Sequence, residues 1–498
     1  MSLISAQILA LMATLPIAGM TAASQSKVRR AAVAGSFYPA DAKELEKEIE
    51  AMMAGASVLP TRNVVVAAVA PHAGYAFSGR VAAYTYAALK GTHYKRVVIL
   101  APSHVEAFEF TSIYDGDGYE TPLGVVPVDR EFARKLVKAV KGAELSGRGH
   151  EPTGERGEHA IEVQLPWIQS LLGGVEIVPI VLGEQSYLAS RALGVGLAKL
   201  MAEEKAGQTL ILASSDLSHY HPYLEAQSID SKSLDAMAQW DYFSMSRNFT
   251  TRHWEACGGG AIVAAMIAAE RLGATEARVQ RYANSGDVTG DKSKVVGYSS
   301  AIFVKTPKAQ SAERFALSDA EKNELLTVAR RSVEEAVATR HAYDVPSSKQ
   351  QVLNQERGAF VTLTKGGRLR GCIGYTSATK PLTMTVRDTA TLAALRDPRF
   401  PAVSKEELPE LRYEISVLSP LKRVQNIAEI EIGRDGLLIK NGDHEGLLLP
   451  QVPVEQHWDR ETFLAQTCHK AGLKPDCWKH EESDLFRFTA EVFHEKGH

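Results

Sequence analysis

Four short runs of small or β-branched apolar residues constrain this chain more than any other feature. Val64 to Ala70 is closed by Pro71 and followed at once by His72. Arg96 to Ala101 ends in Pro102-Ser103-His104, and Glu176 to Leu182 ends in Gly183-Glu184. Thr209 to Ala213 ends in Ser214-Ser215-Asp216-Leu217-Ser218-His219. An unbroken apolar run of this length, bounded by Pro or Gly, reads as a strand buried on both faces. Pro71 has no N–H for a ladder, so the first strand should stop there. Strands covered on both sides belong to an α/β fold: an open, mostly parallel sheet with helices on both faces. Such sheets bind ligands beyond the carboxyl ends of their strands. The four polar ends are therefore expected to form one rim.

At 498 residues the chain exceeds the usual limit for a single core, so a second domain is expected. Apolar spacing predicts helices over Asp41–Ala54, Arg80–Leu89, Asp129–Val140 and about Leu224–Phe243. A loop and hairpin are expected at Tyr119–Gly124, and a last strand over Val295–Val304 closes a first domain spanning 31–305. The polar, aperiodic stretch Pro307–Phe315 reads as a linker, assigned to 306–316. Beyond it, Ser318-Asp319-Ala320-Glu321 is a capping box. Hairpins about Gly366-Gly367 and Asn441-Gly442, a strand at Tyr413–Leu418, and helices at Thr383–Leu395 and Thr462–Ala471 give a smaller α+β domain over 317–498.

Residues 1–30 read as a signal-like or disordered extension. Leu3–Ala23 is mostly apolar and ends in Thr21-Ala22-Ala23, yet no basic residue precedes Lys27. A cytoplasmic location is expected, with export through this segment as the alternative. No other stretch approaches the length of a membrane span. The net charge of -3 supplies no basic field for nucleic acid. Cys257, Cys372, Cys468 and Cys477 are scattered without a C-x-x-C pair. That spacing argues against a zinc cluster and a disulfide framework, and fits a reducing compartment or one that makes no use of disulfides.

His72, His104, Asp216 and Cys257 are the residue types a transition metal prefers, and together they suit iron or copper, with zinc as an alternative. Cys257 precedes three glycines at a helix start, where a thiol's pKa is lowered and a backbone can approach a ligand closely. His219, read as one helical turn beyond Asp216, is a candidate general acid or base. His159 and Glu162, three residues apart, are expected to share a helix face aimed at the rim. The other reading of this rim is a recognition pocket for a peptide, a nucleotide or a partner protein, with no catalysis. In the second domain Gly371 and Gly374 flank Cys372, a candidate reactive thiol, and Arg370 is a candidate anion ligand, although surface pairing with acids is the commoner use of such arginines.

The motifs Ala70-Pro71-His72-Ala73-Gly74-Tyr75, Pro102-Ser103-His104, Tyr119-Glu120-Thr121-Pro122-Leu123, Glu158-His159-Ala160-Ile161-Glu162, Ser214–His219 and Val296-Gly297-Tyr298 resemble the Memo family, in the family's order. That family is similar in fold to the class III extradiol (ring-cleaving) dioxygenases. The resemblance implies that His72, His104 and Cys257 occupy the positions of the dioxygenases' iron ligands, with His219 near their catalytic histidine. Asp216 is then a further ligand candidate, and His159 and Glu162 lie behind the ligands. A cysteine where the dioxygenases carry a glutamate argues against ring cleavage itself. Leu369-Arg370-Gly371-Cys372-Ile373-Gly374, Leu395-Arg396-Asp397-Pro398-Arg399-Phe400 and Leu447–Val452 resemble the AMMECR-type domain. The fusion resembles the AmmeMemoRadiSam system, whose proteins B and A are usually separate chains beside a radical-SAM protein, and it implies such a protein as partner.

Overall fold

In a computed structural model, the structure describes residues 27–58, 63–151, 157–204, 207–306, 316–375, 380–419, 421–424, 426–442, 444–480 and 482–495. The linker stretch 307–315 and residues 1–26 lie outside them. The first domain is a nine-stranded sheet. Its strands are β1 (Val64–Ala70), β2 (Arg96–Pro102), β3 (Thr111–Ile113), β4 (Ala143–Leu145), β5 (Glu176–Leu182), β6 (Thr209–Ser214), β7 (His219–His221), β8 (Glu276–Asn284) and β9 (Val295–Lys305). They lie in the order β7-β9-β1-β6-β2-β5-β3-β4, with β8 also paired to β9. The four apolar runs form the parallel centre, β1-β6-β2-β5, and antiparallel neighbours flank it. Successive side chains of a strand face opposite ways. Val97, Ile99 and Ala101 of β2 accordingly enter one apolar core, and Val98 and Leu100 the other.

Helices cover both faces. Three matter for the site: α1 (Tyr75–Leu89), α2 (Tyr187–Ala202) and α3 (Gly259–Arg271). α1 starts five residues before the expected Arg80, because Gly74 serves as its N-cap and Tyr75 already turns inward as a buried residue. The expected helix over 224–243 is two helices, Tyr223–Ala238 and Tyr242–Thr250. Trp240 between them takes φ 61°, and Asp241 caps the second through Ser244 N–H.

The first domain also takes in residues expected to lie in the N-terminal extension. Val28–Arg29 is a short strand paired to Gly118–Thr121. Arg29 is buried, with Glu162 as its counter-ion. The residues read as the end of an extension are part of the first domain.

The second domain is a seven-stranded antiparallel sheet with helices at Asp319–Thr339, Leu382–Leu395 and Arg460–Lys470. The capping box at Ser318 is formed, and both hairpins occur at their expected glycines. One cysteine expectation is corrected. Cys468 and Cys477, nine residues apart, form a disulfide between the Arg460–Lys470 helix and the next turn. Two of the four scattered cysteines are thus paired, where the spacing argued against disulfides. Closing so short a loop is worth about 2–3 kcal/mol. Cys468→Ser is expected to lower the thermal midpoint of the second domain, and an unchanged midpoint under reducing and oxidising conditions contradicts the bond.

The domains share an apolar cluster. Leu418, Leu438, Phe486 and Phe488 join Leu193, Tyr242 and Met245 of the first domain. Asp484 crosses the same boundary to Tyr187, Arg191 and Arg271. Beside them, burial raises the Glu270 carboxyl to about 7, against the Tyr242 hydroxyl and the charges of Arg423 and Arg271. A carboxyl with a raised folded pKa binds more protons folded than unfolded, so its contribution is fully present below the unfolded value and is lost as pH rises through 7. The stability advantage of Glu270→Gln over wild type, read by urea unfolding, is expected to grow between pH 5 and pH 8. A constant difference contradicts this.

Candidate metal centre

The rim is built where β1, β2 and β6 end. Pro71 stops β1, and His72 turns in and is buried. β2 ends at Pro102, and His104 follows two residues later. His159 reaches the same place from the loop before the short helical turn Glu162–Gln164. Ring nitrogens of His72, His104 and His159 lie within 4.8 Å of one another. Their ring centroids are 5.0 Å apart for His72 and His104, 5.3 Å for His72 and His159, and 4.5 Å for His104 and His159. Cys257 brings its Sγ to 3.0 Å from His72 Nε2.

The glycines after Cys257 explain how the thiol arrives. A Cβ on Gly258 would stand 2.5 Å from the Ser214 carbonyl oxygen, and one on Gly260 would stand 2.8 Å from Gln185 Cβ. Only bare backbone lets α3 begin this close to the ends of β5 and β6. The run therefore serves close packing that carries the thiol to the histidines.

Each histidine has its second nitrogen or its backbone fixed. His72 Nδ1 lies 3.0 Å from Ser214 Oγ, and His104 Nδ1 lies 3.0 Å from Glu158 Oε1. Glu158 also accepts N–H bonds from His104, His159 and Ala160. Burial opposes its charge, yet these partners, led by the His104 ring, bring its carboxyl down to about 2. Burial, then the neighbouring His104, holds His72 well below the usual imidazole range. Burial, then His72 and His104, brings His159 down to about 3. Neutral imidazoles with one nitrogen oriented by a carboxylate or hydroxyl are the form that ligates metals. The donor set fits a transition metal: clustered imidazoles, an adjacent sulfur, and a negative Glu158 behind. Burial, then Asp216, raises the Cys257 thiol rather than lowering it, so the helix start does not dominate there.

The other expected residues stand as follows. Asp216 Oδ1 accepts N–H bonds from His72 at 2.8 Å and Ala73 at 3.3 Å, so it fixes the backbone that carries His72. Its own N–H points at Cys257 Sγ, 3.2 Å away. His219 is not a helical turn beyond Asp216. It lies in β7, paired with Val296, and its backbone N–H donates to Glu255 at 3.2 Å. Glu162 does not share a face with His159. It is fully buried behind the rim, accepting from Arg29, Ala32 N–H, Val33 N–H and the Tyr38 hydroxyl. The 157–161 segment is not helical, so three-residue spacing did not put the two side chains together. Glu158 and Gln185 were missed. Glu158 precedes His159 directly, and a carboxylate next to an imidazole expected at the rim was the available signal. Gln185 carried none.

In the second domain Arg370 forms a two-point pair with Glu407 and a bond to the Pro401 carbonyl, so it is engaged rather than open to an anion. Cys372 lies opposite Thr362, whose hydroxyl is 3.2 Å from its Sγ. The space beside Gly371 is filled by the Ala393 carbonyl and that beside Gly374 by the Phe360 ring. The glycines around Cys372 thus accommodate internal packing, not an approaching partner.

A family model described as "Memo-like protein" matches residues 29–302, more than half of the chain. The chain belongs to the Memo family. The AMMECR1 family model matches residues 326–493, so the Memo-like domain is followed by an AMMECR1 domain. "MEMO1 family protein MK0963" of Methanopyrus kandleri is 38% identical over 285 residues, covering 55% of this chain and 98% of that protein. "Protein TK0174" of Thermococcus kodakarensis is 48% identical over 182 residues, covering 34% of this chain and 89% of that protein. Among solved structures, uncharacterized protein PH0010 from Pyrococcus horikoshii is 42% identical and covers 36% of this chain and 95% of its own, with a TM-score of 0.35. The Methanopyrus kandleri and Thermococcus kodakarensis relatives cover 55% and 34% of this chain, which carries both family matches.

Proposed function

We propose that the Memo-like rim holds one transition-metal ion, iron or copper, and that the protein performs redox chemistry related to that of the ring-cleaving dioxygenases. The observation that supports this is the convergence of His72, His104 and His159 within one ligand-sized space, with Cys257 beside His72. His72, His104 and Cys257 would hold the ion, with His159 available as a further ligand or as the nearest imidazole to a bound substrate. Such an ion supplies one-electron chemistry and a Lewis-acid position for substrate. Glu158 keeps His104 oriented with Nε2 free, and Ser214 does the same for His72 from Nδ1. Asp216 fixes the backbone at His72 and Ala73. His219 is the group we assign to proton transfer. The substrate is a small molecule or peptide that reaches the rim.

The AMMECR1 domain in the same chain supports a role in an AmmeMemoRadiSam-type system with a radical-SAM protein as partner. The test is metal content. Full-length protein purified anaerobically and loaded with iron or copper is expected to retain about one ion per chain. His72→Ala and Cys257→Ala are expected to retain almost none. Equal, negligible metal in all three defeats the reading, and binding by the first variant equal to wild type moves the site elsewhere.

A further inference from the structure

The boundary between the two domains lies close to the thiol side of the metal centre. The turn that follows β5 carries Gln185 and Ser186, and Tyr187 begins α2. Gln185 Nε2 donates to the Cys257 carbonyl at 2.8 Å, and Gln185 Oε1 accepts from Gly260 N–H at 2.8 Å. One amide thus spans the bend that presents the thiol and begins α3. The opposite side of the bend is held by Ser215 Oγ, which accepts from Gly258 N–H at 2.9 Å, and by the Asp216 carbonyl, which accepts from Cys257 N–H.

Two residues along, the Tyr187 hydroxyl donates to Asp484 Oδ2 of the second domain at 2.8 Å. Asp484 also takes two bonds from Arg191, one turn further along α2, and one from Arg271 at the far end of α3. Arg423 of its own domain lies 3.5 Å away. Asp484 is buried. A carboxylate in this position ties the N-terminal turn of α2 to the end of α3, the helix that starts at the thiol.

We infer that Gln185 is a positioning residue for Cys257, and that Asp484 of the AMMECR1 domain holds Gln185 in place. This rests on the proposed metal centre. The second domain then acts on the metal site as part of its supporting frame. Outer partners of metal ligands typically alter affinity ten- to a hundredfold when removed. Coupling carried through packed elements is worth roughly a two- to thirtyfold change.

The experiment compares wild type, Gln185→Ala, Tyr187→Phe and Asp484→Asn as full-length protein. Tyr187→Phe removes only the hydroxyl that crosses the boundary, so it remains informative if Asp484→Asn folds poorly. Two readouts are taken: Co(II) titration followed by the thiolate-to-cobalt absorption band, and the alkylation rate of Cys257 relative to Cys372 in metal-free protein. Gln185→Ala is expected to weaken Co(II) binding roughly ten- to a hundredfold, to diminish the thiolate band and to speed Cys257 alkylation. Tyr187→Phe and Asp484→Asn should move the same readouts in the same direction by smaller factors. Unchanged Cys257 alkylation in Gln185→Ala overturns the positioning role. A response in Gln185→Ala with none in Tyr187→Phe or Asp484→Asn overturns the link to the second domain. Failure of wild type to bind Co(II) counts against the metal centre instead, and leaves the alkylation comparison to decide the positioning.

Discussion

Glu162→Ala should destabilise the Memo-like domain by roughly 3–5 kcal/mol, the usual cost of removing one partner of a buried ion pair. Glu162 and Arg29 are both essentially without solvent exposure. Removing the carboxylate leaves a buried guanidinium short of its counter-ion, although the His150 and Glu158 carbonyls still accept from it. It also orphans two backbone N–H groups, of Ala32 and Val33, and the Tyr38 hydroxyl. The segment from Arg29 to Tyr38 is therefore expected to loosen first. Phe37 of that segment packs on His159 with ring centroids 4.6 Å apart, so loosening reaches the site. Urea unfolding measures the loss, and limited proteolysis near Arg30 locates it. Arg29→Met combined with Glu162→Leu should recover part of the stability, because an apolar pair replaces a desolvated charge pair. A loss below about 1 kcal/mol in Glu162→Ala, with proteolysis unchanged, contradicts the structural role and returns Glu162 to the list of chemical groups.

Glu158→Gln is expected to weaken metal binding roughly ten- to a hundredfold while leaving the fold intact. The substitution keeps the shape but removes the charge that faces His104. With its amide oxygen in place of Oε1 it would still accept from His104 Nδ1–H and from the His159 and Ala160 N–H groups, yet its NH2 would face the His104 backbone N–H that Oε2 now accepts. His104 loses the charge that fixes its tautomer and the bond that anchors its backbone, so its free nitrogen is held less firmly toward those of His72 and His159. Titration calorimetry with a divalent metal measures the change, and near-ultraviolet dichroism checks the fold. Affinity equal to wild type would mean that packing alone orients His104.

The parallel centre of the sheet was legible because β1, β2, β5 and β6 are unbroken apolar runs ended by Pro, Gly or Ser. β8 was not, since Glu276–Asn284 mixes polar and apolar residues at half-buried positions and gives no clean period. His72 and His104 could be placed together because each follows the end of such a strand, and Cys257, just before a helix start, meets His72. His159 was recognised as part of the rim, but its relation to Glu162 was misread. Helical spacing carries meaning only inside a helix, and the chain there is a turn. The partner of Glu162 is Arg29, 133 residues away, and no local pattern encodes a contact of that separation. The same holds for Asp484, whose partners lie in the other domain. The Cys468–Cys477 bond was missed because composition argued from the scatter of all four cysteines, while nine residues of local folding bring these two together.

The most direct test is anomalous scattering from crystals of the full chain soaked anaerobically with iron or copper and measured at the matching absorption edge. The account predicts one strong peak at the strand rim, within coordination distance of His72, His104 and Cys257 and close to His159. A peak that lies elsewhere, or no peak at a rim whose side chains are well ordered, would contradict it.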